Sequence, residues 1–241
     1  METLVSLRNV SRRYPMDHTF VRALDDVSLD VRRGEFLAVA GPSGSGKSTL
    51  LNLIGCIDQP SGGSISIEGV EATRLKPSEL AALRRRKIGF VFQTFNLIPV
   101  FTAFENVEYP LLLDRQPPAE RRRRVMEVLE SVGLGYRANH RPDLLSGGER
   151  QRVAVARAVV HRPALVLADE ATANLDTHNA TQLIDLMRRL NRDLKVTFLF
   201  STHDQRLLDR ADRVLWLCDG RLTEEEPGRE VPHETVSAAR L

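Results

Sequence analysis

The most constraining feature of the chain is the run Gly41-Pro42-Ser43-Gly44-Ser45-Gly46-Lys47-Ser48, which fits the pattern G-x-x-x-x-G-K-[ST]. It follows an unbroken apolar stretch, Phe36 to Ala40, and opens a segment with helical periodicity, Lys47 to Gly55. A short apolar run suits a strand buried on both faces. A strand, a glycine-rich turn and a helix in that order make a phosphate cradle. The glycines let backbone N–H groups turn inward around phosphate oxygens, and the helix N-terminus adds a favourable dipole. Lys47 is placed to reach the β- and γ-phosphates, and the Ser48 hydroxyl to ligate Mg²⁺. Lysine is scarce here: only four of the 34 basic residues are lysines. Its use at position 47 fits the need for a compact ammonium on a flexible stem.

A second element of a phosphate site is Ala164-Leu165-Val166-Leu167-Ala168-Asp169-Glu170, an apolar strand that delivers two carboxylates at its end. In enzymes with such a loop, an Asp at this position helps hold Mg²⁺, here Asp169 through water. Glu170 is then placed to polarise or deprotonate an attacking water, which fits a hydrolase better than a kinase.

Further apolar runs at Thr197 to Ser201 and Val214 to Cys218 alternate with helical patterns at Thr177 to Arg192 and Asp204 to Ala211. This alternation predicts an α/β domain with a largely parallel core sheet. Early strands are expected at Val5 to Val10 and Ala23 to Val31. From about Thr94 to His161 helical patterns dominate, which predicts a helical insertion. Thr102-Ala103-Phe104-Glu105 and Ser146-Gly147-Gly148-Glu149 both fit the capping box, and Pro117-Pro118 breaks the chain before a helix near Ala119.

A third anion-seeking element is Leu145-Ser146-Gly147-Gly148-Glu149-Arg150-Gln151, where two glycines clear side chains from a capped helix start. With these residues the chain resembles the ATP-binding subunits of ABC transporters, whose signature Leu-Ser-Gly-Gly-Glu-x-Gln it matches. The resemblance runs from about residue 4 to residue 223. It implies an α/β P-loop NTPase (RecA-like) core with an N-terminal antiparallel β subdomain and an inserted α-helical subdomain. The implied division is 1–93 plus 162–223 for the core with its β subdomain, 94–161 for the helical subdomain and 224–241 for an exposed tail, all within one domain.

The resemblance also implies ATP and Mg²⁺ as ligands and a head-to-tail homodimer that sandwiches two ATP molecules. In it, Ser146, Gly147, Gly148 and Glu149 touch the nucleotide held by the partner's loop. Tyr14 matches the aromatic that stacks on adenine, with Val21 beside it, and Thr49 extends the ATP-binding run that begins at Gly41. Gln93 matches the glutamine that contacts Mg²⁺ or the lytic water and begins the loop facing a membrane partner. Asp176 matches the loop that crosses the dimer interface, and His203 the histidine at the γ-phosphate. Lys47, Gln93, Glu170 and His203 are thus the implied catalytic set, with Ser48, Gln93 and Asp169 the implied metal contacts. Many relatives have proline after the catalytic glutamate; Ala171 stands there instead, so Glu170 lacks the backbone restriction that precedes a proline.

The stretches Ile88 to Gln93, Phe95 to Pro99 and Thr102 to Val107 look most like the lipoprotein-releasing, macrolide-efflux and cell-division group, which implies an integral membrane permease as partner. Alternatives of another class are a scaffold that regulates cell-wall hydrolases in response to nucleotide and a soluble ABC ATPase outside transport. The net charge of +2 speaks against a generally basic nucleic-acid binder. No apolar run approaches a membrane span and no signal peptide is evident, so the protein is expected to stay in the cytoplasm; the resemblance, with its membrane partner, implies a peripheral place on the cytoplasmic side of the inner membrane. The cysteines, Cys56 and Cys218, read as buried apolar filler. The clusters Arg84 to Lys87 and Arg121 to Arg124 read as solvated helix faces, with attraction to anionic headgroups or an acidic partner surface as the sharper alternative.

Overall fold

The structure, a computed structural model, describes residues 2–16, 19–114 and 116–223. The exposed tail expected from residue 224 onward lies outside the described residues. The chain opens with a long antiparallel hairpin, β1 (Thr3–Met16) and β2 (Thr19–Arg32). The expected strands are the cores of these two. Their alternating Val5, Leu7, Val10, Leu24, Val27, Leu29 and Val31 are buried, whereas the hairpin's far end is largely exposed. That end is held by cross-strand pairing, which leaves no apolar signature in the sequence.

β3 (Phe36–Ala40) leads through the glycine loop into α1 (Lys47–Ile54). β4 (Gly62–Ile67) and β5 (Val70–Glu71) then join the hairpin in an antiparallel sheet of order β2-β1-β4-β5. A 3₁₀ turn at Ala72–Arg74 and α2 (Pro77–Lys87) lead into β6 (Ile88–Phe92).

The inserted segment is helical, as expected: α3 (Ala103–Leu113), α4 (Pro118–Ser131) and α5 (Gly147–Val159), with 3₁₀ turns at Gly135–Arg137 and Pro142–Leu144. Both capping boxes form at Thr102 and Ser146. Pro118 occupies the first turn of α4, where its missing N–H costs no hydrogen bond.

The chain re-enters the core with β7 (Leu165–Asp169), α6 (Thr177–Leu194), β8 (Thr197–Ser201), α7 (Gln205–Leu208), β9 (Arg213–Cys218) and β10 (Arg221–Thr223). α7 is shorter than the expected Asp204–Ala211. The Asp212 N–H donates to Phe36 O, and the Asp212 carboxylate accepts from the Phe36 N–H at 2.9 Å, so the chain is drawn into line for β9.

The second sheet has the order β10-β9-β3-β8-β7-β6 and is parallel apart from the β9–β10 edge. Successive side chains of its strands face opposite sides. Phe36, Ala38, Val166, Ala168, Phe198 and Phe200 pack with the helical insertion and α6; Leu37, Val39, Leu165, Leu167 and Leu199 pack with α1 and the antiparallel sheet.

Cys56 is buried as expected, but Cys218 is only half-buried at the strand edge. The basic clusters are largely engaged with neighbours: Arg85 pairs with Asp114, Lys87 with Glu68, Arg121 with Glu108, and Arg123 with Glu120 and Glu127. The reading as solvated helix faces holds for Arg123, which pairs along its own helix, but not for Arg121, whose sheltered guanidinium pairs with Glu108 of α3.

Candidate functional site

The register of the parallel sheet builds the site. Val39, Ser201, Asp169 and Phe92 lie level across neighbouring strands. The residues that follow these strands therefore emerge on one edge: the glycine loop after β3, His203 after β8, Glu170 after β7 and Gln93 after β6. The carboxyl edge of a parallel sheet is where ligands gather in open α/β folds. A cleft of about 670 Å³ lies there, lined by the loop from Gly41 to Gly44, by Gly46 to Thr49, and by Val21, Gln93, Glu170, Ser201 and His203.

The loop itself requires glycine. Gly46 has φ +106°, and a Cβ there would lie 2.3 Å from the Ala23 carbonyl oxygen of β2. A Cβ on Gly41 would meet the Leu217 carbonyl at 2.1 Å. No side chain caps the start of α1, so its first N–H groups are left to a ligand. Lys47 is buried, and its ammonium donates to Gly41 O at 2.8 Å and Pro42 O at 2.9 Å, folded back across the loop. Ser45 is buried beneath the loop and does not line the cleft.

Across the cleft, His203 Nδ1 lies 3.1 Å from Glu170 Oε1. The histidine side chain is 72% exposed and that of Glu170 only 19%, so the carboxylate is sheltered and the imidazole is at the mouth. Glu170 has φ +47°, a left-handed backbone at a non-glycine residue. Its N–H donates to Ser201 O, and its carbonyl accepts from the Ala173 N–H at 3.1 Å.

Asp169 Oδ1 is buried and accepts no hydrogen bond from the described residues. Asp169 is not on the cleft lining but directly precedes Glu170, which is; its orphaned carboxylate oxygen, with Ser48 and Gln93 on the lining, fits a small hard cation that takes few protein ligands and completes its shell with phosphate and water.

The remaining expected residues lie apart from the cleft. Tyr14 is not on its lining, although its cross-strand partner Val21 is. The Tyr14 hydroxyl donates to Asp58 at 2.8 Å, and the Arg12 guanidinium lies 4.5 Å from the ring centroid while also pairing with Asp58. Ser146, Gly147, Gly148 and Glu149 form the capped start of α5. Ser146 Oγ accepts from the Glu149 N–H at 3.2 Å, and Glu149 accepts from the Ser146 N–H at 2.8 Å. That bond to the Ser146 N–H holds the Glu149 carboxyl below its usual range, against desolvation and with help from Arg137.

This helix start abuts the Asp176 loop. Asp176 caps α6 through the Asn179 N–H, and a Cβ on Gly148 would come 2.6 Å from Asn179 Oδ1. Positions to which the sequence assigns no site role are Arg22, Ala23, Ala173 and Ser201 on the cleft, Asn179 in the first turn of α6 against Gly148, and Gln151, buried in α5. Nothing in the residue types themselves marks the first five. Gln151 falls inside the signature run but reads from sequence as an ordinary helical polar residue.

A family model described as ABC transporter matches residues 24–173. The chain belongs to the ABC transporter family. It is an ATP-binding, ATP-hydrolysing cassette. The uncharacterized ABC transporter ATP-binding protein YvrO of Bacillus subtilis (strain 168) is 44% identical over 225 residues, 93% of this chain and 98% of that protein. The macrolide export ATP-binding/permease protein MacB 1/2 of Paracoccus denitrificans is 47% identical over 219 residues, 91% of this chain but 33% of that longer protein. Among solved structures, the dimeric post-hydrolysis state of the ATP-binding cassette MJ0796 bound to ADP and Pi superposes with a TM-score of 0.86 at 43% identity, covering 92% of this chain and 98% of that one. The protein MJ0796 comes from Methanocaldococcus jannaschii. The cassette thus lies among ABC ATP-binding proteins that include macrolide-export relatives. No helix among its described residues is long and apolar enough to cross a membrane.

Proposed function

We propose that this cassette works as a head-to-tail homodimer that closes around two Mg-ATP and drives a separate integral membrane subunit in lipoprotein-release or macrolide-type export, or in mechanical transmission. The observation that carries the reading is the separation of two anion-seeking helix starts. The uncapped start of α1 lines the cleft; the signature start of α5 lies outside it, beside the Asp176 loop. A second copy turned head to tail supplies the missing wall, as the dimeric form of MJ0796 suggests.

In this reading the loop N–H groups and Lys47 hold the β- and γ-phosphates, while the adenine lies against the hairpin at Val21, with Tyr14, the cross-strand partner of Val21 and off the cleft lining, reached at the cleft's outer edge. Ser48, Asp169 and Gln93 would hold Mg²⁺, and the ion would supply neutralisation of charge on the phosphate oxygens. Glu170 takes the proton of the attacking water, and His203 contacts the γ-phosphate and steadies the Glu170 carboxylate. ATP-binding energy is stored in the closed dimer and hydrolysis resets it.

An apolar groove of about 700 Å³ between α2, β6, α3 and α5, lined by Phe90, Phe92, Tyr109 and Leu113, lies beside the Gln93 loop and supports docking of the membrane subunit there. Such docking places the cassette at the cytoplasmic face of the cell membrane as a peripheral subunit.

The test is Glu170→Gln. It keeps ATP binding, accumulates an ATP-dependent dimer in size-exclusion chromatography and loses phosphate release. Wild-type turnover in that variant overturns the role of Glu170. Co-purification from membranes without any integral membrane protein overturns the coupling.

A further inference from the structure

Gln151, on the second turn of α5, is fully buried. Its side-chain amide donates twice, to Phe92 O at 3.2 Å and to Ala171 O at 2.8 Å. Both acceptors are carbonyl oxygens, so the NH₂ end must face them. The other end, Oε1, accepts no hydrogen bond from the described residues. A buried amide with an unpaired oxygen costs stability that an apolar side chain of the same length avoids, so packing alone does not account for it.

The two carbonyls are informative. Phe92 is the last residue of β6 and directly precedes Gln93; Ala171 directly follows Glu170. One side chain therefore fixes the peptide that joins Phe92 to Gln93 and the peptide one residue beyond Glu170, between Ala171 and Thr172. The segment at Glu170 needs such support because its backbone is left-handed and lacks the restraint of a following proline.

The same helix also holds the rest of the loop after Gln93. Phe95 and Asn96 have φ of +63° and +47°, and the Arg157 guanidinium donates to both of their carbonyls. The Arg150 guanidinium lies 5.1 Å from the Phe95 ring centroid. α5 itself is seated hard on β6: a Cβ on Gly89 would lie 2.1 Å from Ala158 O. The donor amide thus projects from a helix that has little room to shift relative to the strand.

We propose that Gln151 is a positioning residue of the ATPase reaction, holding Gln93 and Glu170 in place against the phosphate loop through the Phe92 and Ala171 carbonyls. Gln151 is fully buried and is not on the lining of the cleft, so it acts through the two loops and not on the reacting atoms. It also joins the helix that presents the signature outward to the strand ends that hold the subunit's own nucleotide. The inference rests on the reading of Glu170 as the base.

Gln151→Met keeps length and apolar volume and removes both donors. Misplacement of a reacting group by ~1 Å costs on the order of 10²-fold. The expected result at 25 °C is a fall in kcat between tenfold and a hundredfold, while the KM for ATP, set by the loop and Lys47, stays within about twofold. Wild-type kcat in folded Gln151→Met overturns the proposal, as does a matched change in KM with kcat intact.

Gln151→Glu gives an independent readout should the methionine variant not fold. An ionised carboxylate faces two carbonyl oxygens and donates nothing, whereas the protonated acid donates once. Its kcat relative to wild type should rise as pH falls from 8 to 6; a ratio that does not change with pH overturns the proposal. If Glu170→Gln turns over at the wild-type rate, the reading beneath the inference fails. If Glu170→Gln is inactive and Gln151→Met is normal, only the inference fails.

Discussion

Two helices of this cassette begin at glycine-rich turns, and they begin differently. α1 starts at Gly46 with a positive φ and no side-chain cap, and the lysine of its first turn bonds to the loop's own carbonyls. α5 starts at Ser146 with a complete capping box. The first leaves its N–H groups to a ligand; the second has already satisfied two of its own and offers the rest. The difference teaches how division of labour is written locally. A helix start that must hold an anion alone is left uncapped, whereas one that only completes another site can be stable in advance.

Substitutions can break or sharpen this contrast. Gly46→Ala carries the largest expected effect, because its Cβ would collide with backbone at Ala23 and its φ is unsuited to an L side chain. A loss of about 3 kcal/mol or more in urea unfolding is expected, with ATP binding abolished. If Gly46→Ala folds and binds ATP normally, the loop is less constrained than described.

Lys47→Met should preserve stability while reducing kcat/KM by about 10²–10³, measured by phosphate release, as for removal of a donor aimed at developing charge. An unchanged kcat/KM would show that the ammonium is not at the phosphates.

Ser146→Ala should lower stability by about 1 kcal/mol through loss of the cap. Thr102→Ala, at the other capping box, should do the same. The two should differ in turnover: only the Ser146 variant should lose it, and ATP binding by the monomer should survive in both. Equal turnover would mean that the signature helix start is structural only.

The smallest effect is in pH. The folded Glu149 carboxyl is held below its ordinary value, first by the Ser146 N–H, so its contribution is present above the unfolded Glu pKa of about 4.3 and is lost as pH falls through the lower folded value. The drop in thermal midpoint of the wild type below that pH should be shallower in Glu149→Gln.

Much of the architecture was legible because strands buried on both faces read as unbroken apolar runs. Phe36–Ala40 and Thr197–Ser201 appear in the structure with the bounds their sequence suggests. β4 escaped because Gly62-Gly63-Ser64 precedes only two buried isoleucines, Ile65 and Ile67. The site's motif residues were legible by spacing, and the sheet register brings Gln93, Glu170 and His203 to one edge. What spacing could not give was the set of supporting contacts. Gln151 bonds to backbone carbonyls far away in sequence, and carbonyls carry no residue-specific signal. The Tyr14–Asp58–Arg12 cluster was hidden for a related reason, since it joins β1 to the loop after α1 only once both sheets are in place.

The parallel sheet separates two packing clusters, yet its strands supply side chains to both. It is a party wall shared by two rooms. Damage to either room weakens a partition on which the other also leans, so the two clusters should melt together in one calorimetric transition. The slowest amide exchange should run along β3, β7 and β8 and not at the centre of either room.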